Sequence, residues 1–243
     1  MRLDGNKVLI TGGGTGIGYE FSRMFLAAGS KVLVCGRRQP PLEELRHKYP
    51  QQVECLVADV SAESERDRLV EWVKTAHPDV NVLVNNAGVQ ERVEISEKDF
   101  WKRTSREIDL NLKGPIHLCS ALLPVIEKNQ NPIIINVTSG LAFTPIARMP
   151  VYCATKAALR SFTLSLRHLL KDKVEVIEVI PPAVDTDLGG AGLHTQGVPL
   201  AEFGKAVEEQ LRGGNLEITH SFSAAMLKAG PEELKKAFQR MNP

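Results

Sequence analysis

The sequence predicts a doubly wound α/β fold, a mostly parallel sheet of about seven strands with helices on both faces. Three observations lead there. Short β-branched runs alternate with longer segments of helical spacing along most of the 243 residues. Two of the runs, around Val8 to Ile10 and Ile133 to Ile135, are apolar without interruption, as strands covered on both faces are. Glycine-rich or polar turns follow the carboxyl ends of several runs, which is where ligands gather in open α/β sheets.

Taken in order, Lys7–Thr11 reads as the first strand and leads through a glycine turn into a helix over Gly18–Ala28. Lys31–Gly36 and the helix Pro41–Tyr49 form the next unit, and Val53–Asp59 with Glu63–Thr75 the third. Val80–Asn85 is followed by a long helical stretch through Glu97–Lys128, then Ile133–Ser139 by the helix Val151–Lys171. Val174–Pro181 closes the series, and a helix Leu200–Arg212, a short strand Leu216–Thr219 and a terminal helix Pro231–Met241 complete the chain. Crossovers of this kind are right-handed and stack their strands in parallel. No repeat or linker divides the chain, so residues 1–243 are expected to form one domain, with the glycines between Gly189 and Gly197 marking a flexible substrate loop over about residues 188–205.

Lys and Arg number 30 against 29 Asp and Glu, so no net field draws the chain to nucleic acid or an anionic membrane, and a small-molecule partner is expected. No stretch has the apolar length of a spanning helix or the build of a signal peptide, and the expected location is the cytoplasm. The four cysteines lack C-x-x-C spacing and the six histidines lack metal-ligand spacing, so no metal site is expected.

The chemistry lies in the turns. Thr11 to Gly18 spells T-G-x-x-x-G-x-G, with Gly12, Gly16 and Gly18 in the key places and Thr15 and Ile17 between them. Between a strand and a helix, such glycines let diphosphate oxygens reach backbone N–H groups at the helix N-terminus. An acidic residue for the ribose hydroxyls of NAD is expected about 20 positions further on, but the sequence has Gly36-Arg37-Arg38. A guanidinium matches a phosphate dianion through paired, charge-assisted hydrogen bonds, so Arg37, helped by Arg38, is expected to hold the 2′-phosphate of NADP(H) in preference to NAD(H). Tyr152 and Lys156 lie one helical turn apart and share a face. A phenol of pKa near ~10 becomes a usable base at neutral pH only with cations beside it.

Together with Asn85-Asn86-Ala87-Gly88 and Ser139, these motifs resemble the single-domain branch of the short-chain dehydrogenase/reductase family, over about residues 3–187, and so imply a Rossmann-type sheet. The resemblance implies that Tyr152 exchanges a proton with a carbonyl or alcohol oxygen while hydride passes to or from the nicotinamide. Ser139 would hold the same oxygen, Lys156 would bind the nicotinamide ribose, and Asn111 would hold a water in the proton path. It also places Asp59 and Val60 against adenine, Asn85 and Gly88 near the adenosine ribose and Thr186 by the nicotinamide, with Ala87 and Val184 among the cofactor contacts; singly, Asp59 equally suits a helix cap and Asn85 a tie between strands.

Pro181-Pro182 stands where the family has Pro-Gly, which stiffens the loop beneath the nicotinamide. Candidate substrate contacts are Gln90, Leu141, Phe143, Met149, Leu188 and His194, a mostly apolar set pointing to a fairly apolar carbonyl compound. Apolar or small residues cover more than half the wheel of the Val151–Lys171 helix, beyond the stripe one sheet needs, so a homodimer or homotetramer is expected. Two rival readings use the same cofactor fold: a lyase or isomerase, and a non-catalytic NADP-sensing module.

Overall fold

The computed structural model describes residues 1–243. Its strands are β1 (Lys7–Thr11), β2 (Lys31–Gly36), β3 (Val53–Val57), β4 (Val82–Asn85), β5 (Ile133–Val137), β6 (Glu175–Ile180) and β7 (Glu217–Thr219). They form one seven-stranded sheet in the order β3-β2-β1-β4-β5-β6-β7, and every pairing is parallel. The winding reverses between β1 and β4, which leaves a crevice above their carboxyl ends.

The period of two along each strand sorts the core into two layers. Val8, Ile10, Val32, Val34, Val82 and Val84 face one layer, and Leu9, Leu33, Leu83 and Ile134 face the other. The first is covered by α1 (Gly16–Ala27), α2 (Gln39–Lys48) and α7 (Leu200–Arg212), through Phe21, Met24, Phe25, Leu42 and Phe203. The second is covered by α3 (Glu63–Ala76), α5 (Gly114–Ile126) and α6 (Pro150–Leu169), through Leu69, Val73, Leu118, Leu122 and Phe162. Each large apolar side chain so buried contributes about 1.5–3 kcal/mol, which makes the sheet a rigid base for the loops at its carboxyl edge.

The long stretch expected over Glu97–Lys128 is three pieces: α4 (Phe100–Ile108), one π turn (Asp109–Lys113) and α5. Gly114 N–H donates to the Asp109 carbonyl across this turn. The sequence contains the cause, because Pro115 has no N–H and cannot make the α-helical bond to the Asn111 carbonyl. The expected substrate loop is shorter than 188–205, since residues 200–205 are the first half of α7. Its base is tied down by Asp185 N–H to Val198 O (2.9 Å) and Val198 N–H to Ala183 O (2.9 Å). Residues Phe222–Lys228 form a helix, α8, that the sequence reading did not anticipate, and Pro231–Met241 is the last helix, α9. No helix is long and apolar enough to cross a membrane.

Candidate active site

One cavity of about 1250 Å³ lies above the crevice between β1 and β4. Its lining includes Gly12, Thr15, Gly16, Ile17, Arg37, Arg38, Asp59, Val60, Ala87 and Gly88 from the expected cofactor set, and Val184 and Thr186 beyond β6. Ser139, Tyr152 and Lys156 line it too, with Gln90, Leu141, Met149, Leu188 and His194. Residues more than a hundred positions apart are thus gathered at a single sheet edge.

The glycine turn is shaped by sterics. Gly12 and Gly16 have φ of +67° and +53°, the left-handed region that a side chain disfavours. Gly18 does not line the cavity; it is the contact point of α1 with the turn, and a Cβ there would sit 2.1 Å from the Gly12 carbonyl oxygen and 2.5 Å from Asn86 Nδ2. Gly18→Ala is therefore expected to destabilise the fold by about 1–3 kcal/mol, the usual cost of overpacking, and to weaken dinucleotide binding. A thermal melt with and without NADPH checks both, and an unchanged Tm with unchanged binding contradicts the steric assignment.

Asn86, not Asn85, serves the turn. Its Nδ2 donates to Thr11 O (3.0 Å) and its backbone N–H to Thr11 Oγ1 (3.0 Å). The adenosine-ribose placement of Asn85 is corrected: its side chain is buried and donates to Asn136 Oδ1 (2.9 Å), its register partner on β5. Strand parity carried that signal, because Asn85 shares a face with Leu83 and points into the α5 layer.

At the end of β3, Asp59 accepts hydrogen bonds from Ser61 N–H and Oγ (3.0 and 2.7 Å) and from Arg106 Nη2 (2.8 Å). Burial opposes ionisation, but those donors outweigh it and hold the carboxyl below its ordinary range. At the end of β2, Arg38 Nη2 reaches Thr15 Oγ1 (3.3 Å), whereas the exposed Arg37 guanidinium has no protein partner. Positive-φ glycines at a helix N-terminus, a free guanidinium beside them and a cavity of this volume fit a phosphorylated dinucleotide.

Tyr152 and Lys156 face the cavity from the first turns of α6, both almost fully buried. Lys156 Nζ donates to Val137 O (2.8 Å) and stands 5.8 Å from the Tyr152 ring centroid. Burial lowers the Lys156 ammonium to about 8. Burial also pushes the Tyr152 phenol up, and the Ser139 hydroxyl beside it offsets only part of that. In the protein without the oxidised nicotinamide, burial is thus the largest influence on the phenol. Ser139 Oγ accepts from Leu141 N–H (3.1 Å), which leaves its proton free to donate into the cavity.

Asn111 does not line the cavity. In the π turn, its Oδ1 accepts from Val89 N–H (2.9 Å) and its Nδ2 donates to Val89 O (2.8 Å) and Thr155 Oγ1 (3.3 Å). Its side chain ties the cavity wall at Val89 to α6. Phe143 is also corrected as a substrate contact, since its ring lies under the Arg160 guanidinium, 4.4 Å from the centroid. That arginine is held by Glu178 and by Glu217 (3.0 Å). Gln90 and His194 do meet, Oε1 to Nε2 at 3.1 Å.

The sequence reading missed Glu107, one helical turn before Asn111 and on its face. Fully buried, it accepts from Glu91 N–H through Oε1 (3.0 Å), and Oε2 has no partner. Burial raises its carboxyl to about 7, with Glu91 adding to the rise and the Glu91 hydrogen bond, Lys156 and Arg103 opposing it. An unfolded carboxyl ionises near 4.5, so between those values the folded state keeps a proton the unfolded chain has lost, and stability falls as pH rises through about 7. Glu107→Gln is expected to gain about 2 kcal/mol relative to the parent between about pH 5 and pH 8. Denaturant melts at the two pH values check it, and a gap independent of pH rules it out.

A family model described as short chain dehydrogenase matches residues 6–196. The chain belongs to the short-chain dehydrogenase family. A Bacillus subtilis relative named "Uncharacterized oxidoreductase DltE" is 41% identical over 254 aligned positions, covering 100% of this chain and 98% of the relative. Among solved structures, a Burkholderia cenocepacia short-chain dehydrogenase in complex with NADP superposes with a TM-score of 0.85 at 24% identity, over 99% of both chains. A Streptomyces avermitilis short-chain dehydrogenase gives 0.85 at 24%, over 99% of this chain and 97% of that one. At that identity the two structures establish the fold. Family membership makes the protein an oxidoreductase, a dehydrogenase or reductase that works with a nicotinamide cofactor.

Proposed function

We propose that this short-chain dehydrogenase is an NADP(H)-dependent carbonyl reductase or alcohol dehydrogenase in which Tyr152 moves the proton. The observation that carries the reading is the gathering of the glycine turn, the unpaired Arg37 and the Ser139, Tyr152 and Lys156 side chains in one cavity. The turn from Gly12 to Gly16 opens the N-terminus of α1 to the diphosphate, and Arg37 with Arg38 takes the 2′-phosphate. Asp59 is held by Ser61 and Arg106, so its carboxylate and Val60 frame the adenine end.

The Tyr152 phenol, which burial holds above its ordinary value, carries its proton at neutral pH, the state that donates to a carbonyl oxygen. Ser139 donates a second hydrogen bond to that oxygen and fixes its position. Lys156, anchored on Val137, keeps a positive charge near the phenol at neutral pH, where it favours the phenolate left behind when the proton has gone. When bound, the nicotinamide supplies the hydride in reduction or collects it in oxidation. The Leu141, Met149 and Leu188 side chains pack around Tyr152 and keep water from it.

The test is NADPH consumption, followed by absorbance, across a panel of aldehydes and ketones with equimolar product alcohol measured alongside. Turnover with NADPH and not with NADH is the expected result. Conversion of a substrate with no net change in NADPH points instead to a lyase or isomerase, and tight NADPH binding with no turnover across the panel to a sensing module.

A further inference from the structure

Among the arginines, Arg37, Arg92, Arg148 and Arg240 donate no side-chain hydrogen bond within the protein and pair with no carboxylate, and all but Arg240 line the cavity. Arg37 serves the cofactor end. Arg92 and Arg148 line the cavity elsewhere, on two segments that Val93 N–H joins by donating to Arg148 O (3.1 Å). Arg92 Nε is shielded from solvent and has no partner. A buried donor left unsatisfied costs about 1–3 kcal/mol, so an acceptor that reaches it is favoured.

The nearest carboxylate in sequence, Glu91, is already taken by Arg103 through Nε and Nη2 (3.1 and 2.8 Å). Asp185 and Asp187 line the same cavity from the loop after β6 and pair with neither guanidinium. Ile146 and Met149, two residues to one side of Arg148 and one to the other, join Leu141 and Leu188 in the apolar patch against Tyr152. A proton-donating phenol, an apolar sleeve and a pair of free guanidinium groups therefore share one chamber.

We infer that the substrate is amphiphilic, a carbonyl compound whose apolar segment ends in an oxoanion, carboxylate or phosphate, held by Arg92 and Arg148. Guanidinium groups bind such anions through paired, charge-assisted hydrogen bonds, and two of them in one cavity also reject a neutral terminus by remaining unsatisfied. This deepens the carbonyl-reductase reading and rests on it for the reacting carbon, while the anion site has a readout of its own.

The experiment uses a chain-length series of ω-oxo carboxylates, their methyl esters and the matching ω-oxo alkyl phosphates, with NADPH. At the optimal length, the carboxylate or the phosphate should exceed the ester in kcat/KM by tenfold or more, chiefly through KM, and the better of the two identifies the anion. Arg148→Ala, an exposed position where folding is not at stake, should lower the anion-to-ester preference at least tenfold. Arg92→Ala should do the same, and Arg148→Lys should keep part of the preference. Equal rates on acid, phosphate and ester leave the reductase assignment standing and overturn the anion site, as does a preference unchanged in both alanine variants. If no carbonyl compound is reduced, the reaction assignment is what fails, and calorimetric titration of the NADPH-bound protein with the same anions decides the site. Binding lost in the Arg92→Ala, Arg148→Ala double variant supports it, and no binding to the parent overturns it.

Discussion

Tyr152→Phe is expected to lower kcat for NADPH-dependent carbonyl reduction by about 10²–10⁴-fold, the span that a positioned general acid contributes. The ring packs within Met149, Cys153, Leu141 and Leu188, so removing the oxygen leaves the apolar contacts intact and the fold should hold. Ser139 would remain to hold the substrate oxygen, which separates a loss in kcat from a loss in KM. Steady-state kinetics together with NADPH titration by fluorescence measure both sides. A variant that turns over at the parent's rate removes Tyr152 from the chemistry, and one that no longer binds NADPH shows that the residue supports the cleft instead.

Arg37→Ala is expected to lower kcat/KM for NADPH by about 10- to 100-fold, the worth of one hydrogen bond to a charged phosphate at ~1.5–3 kcal/mol. NADH, which lacks that phosphate, should change little. The side chain follows Gly36 at the carboxyl end of β2, where a dinucleotide's adenosine ribose is held in this kind of sheet, and it pairs with nothing in the protein. Arg38 is partly engaged with Thr15 Oγ1, so the double substitution should go further than either alone. The ratio of the two specificity constants is the measurement, and a ratio that does not move makes Arg37 a solvated surface residue.

Much of the fold was legible because its signals are local. Apolar runs such as Val8 to Ile10 reveal strands covered on both faces, and helical spacing between them reveals the crossovers. Pro115 held the cause of the π turn, but whether a proline ends, kinks or bulges a helix depends on what packs around it. Helix α8 is seven residues long and rich in small side chains, too short for a periodic pattern. It is secured instead by Ser223 Oγ donating to Ile180 O (2.6 Å) across a long sequence separation.

The site divides along the same line. Positive-φ glycines and the one-turn spacing of Tyr152 and Lys156 are properties of neighbouring residues, and they were readable directly. Asn85 was exchanged for Asn86 because adjacent asparagines differ only in the face to which the pleat turns them, and Phe143 was misplaced because the guanidinium that covers it comes from α6.

From sequence alone came the sheet, its phosphate-binding turn and a phenol paired with a lysine, since each is encoded within a few positions of backbone stereochemistry and side-chain periodicity. Only the folded arrangement decided that Glu107 is buried with one carboxyl oxygen unpartnered, that burial pushes the phenol up, and that the segments of Arg92 and Arg148 meet at the cavity. Desolvation and the pairing of distant charges depend on what surrounds a group in three dimensions, and no window along a chain contains that information.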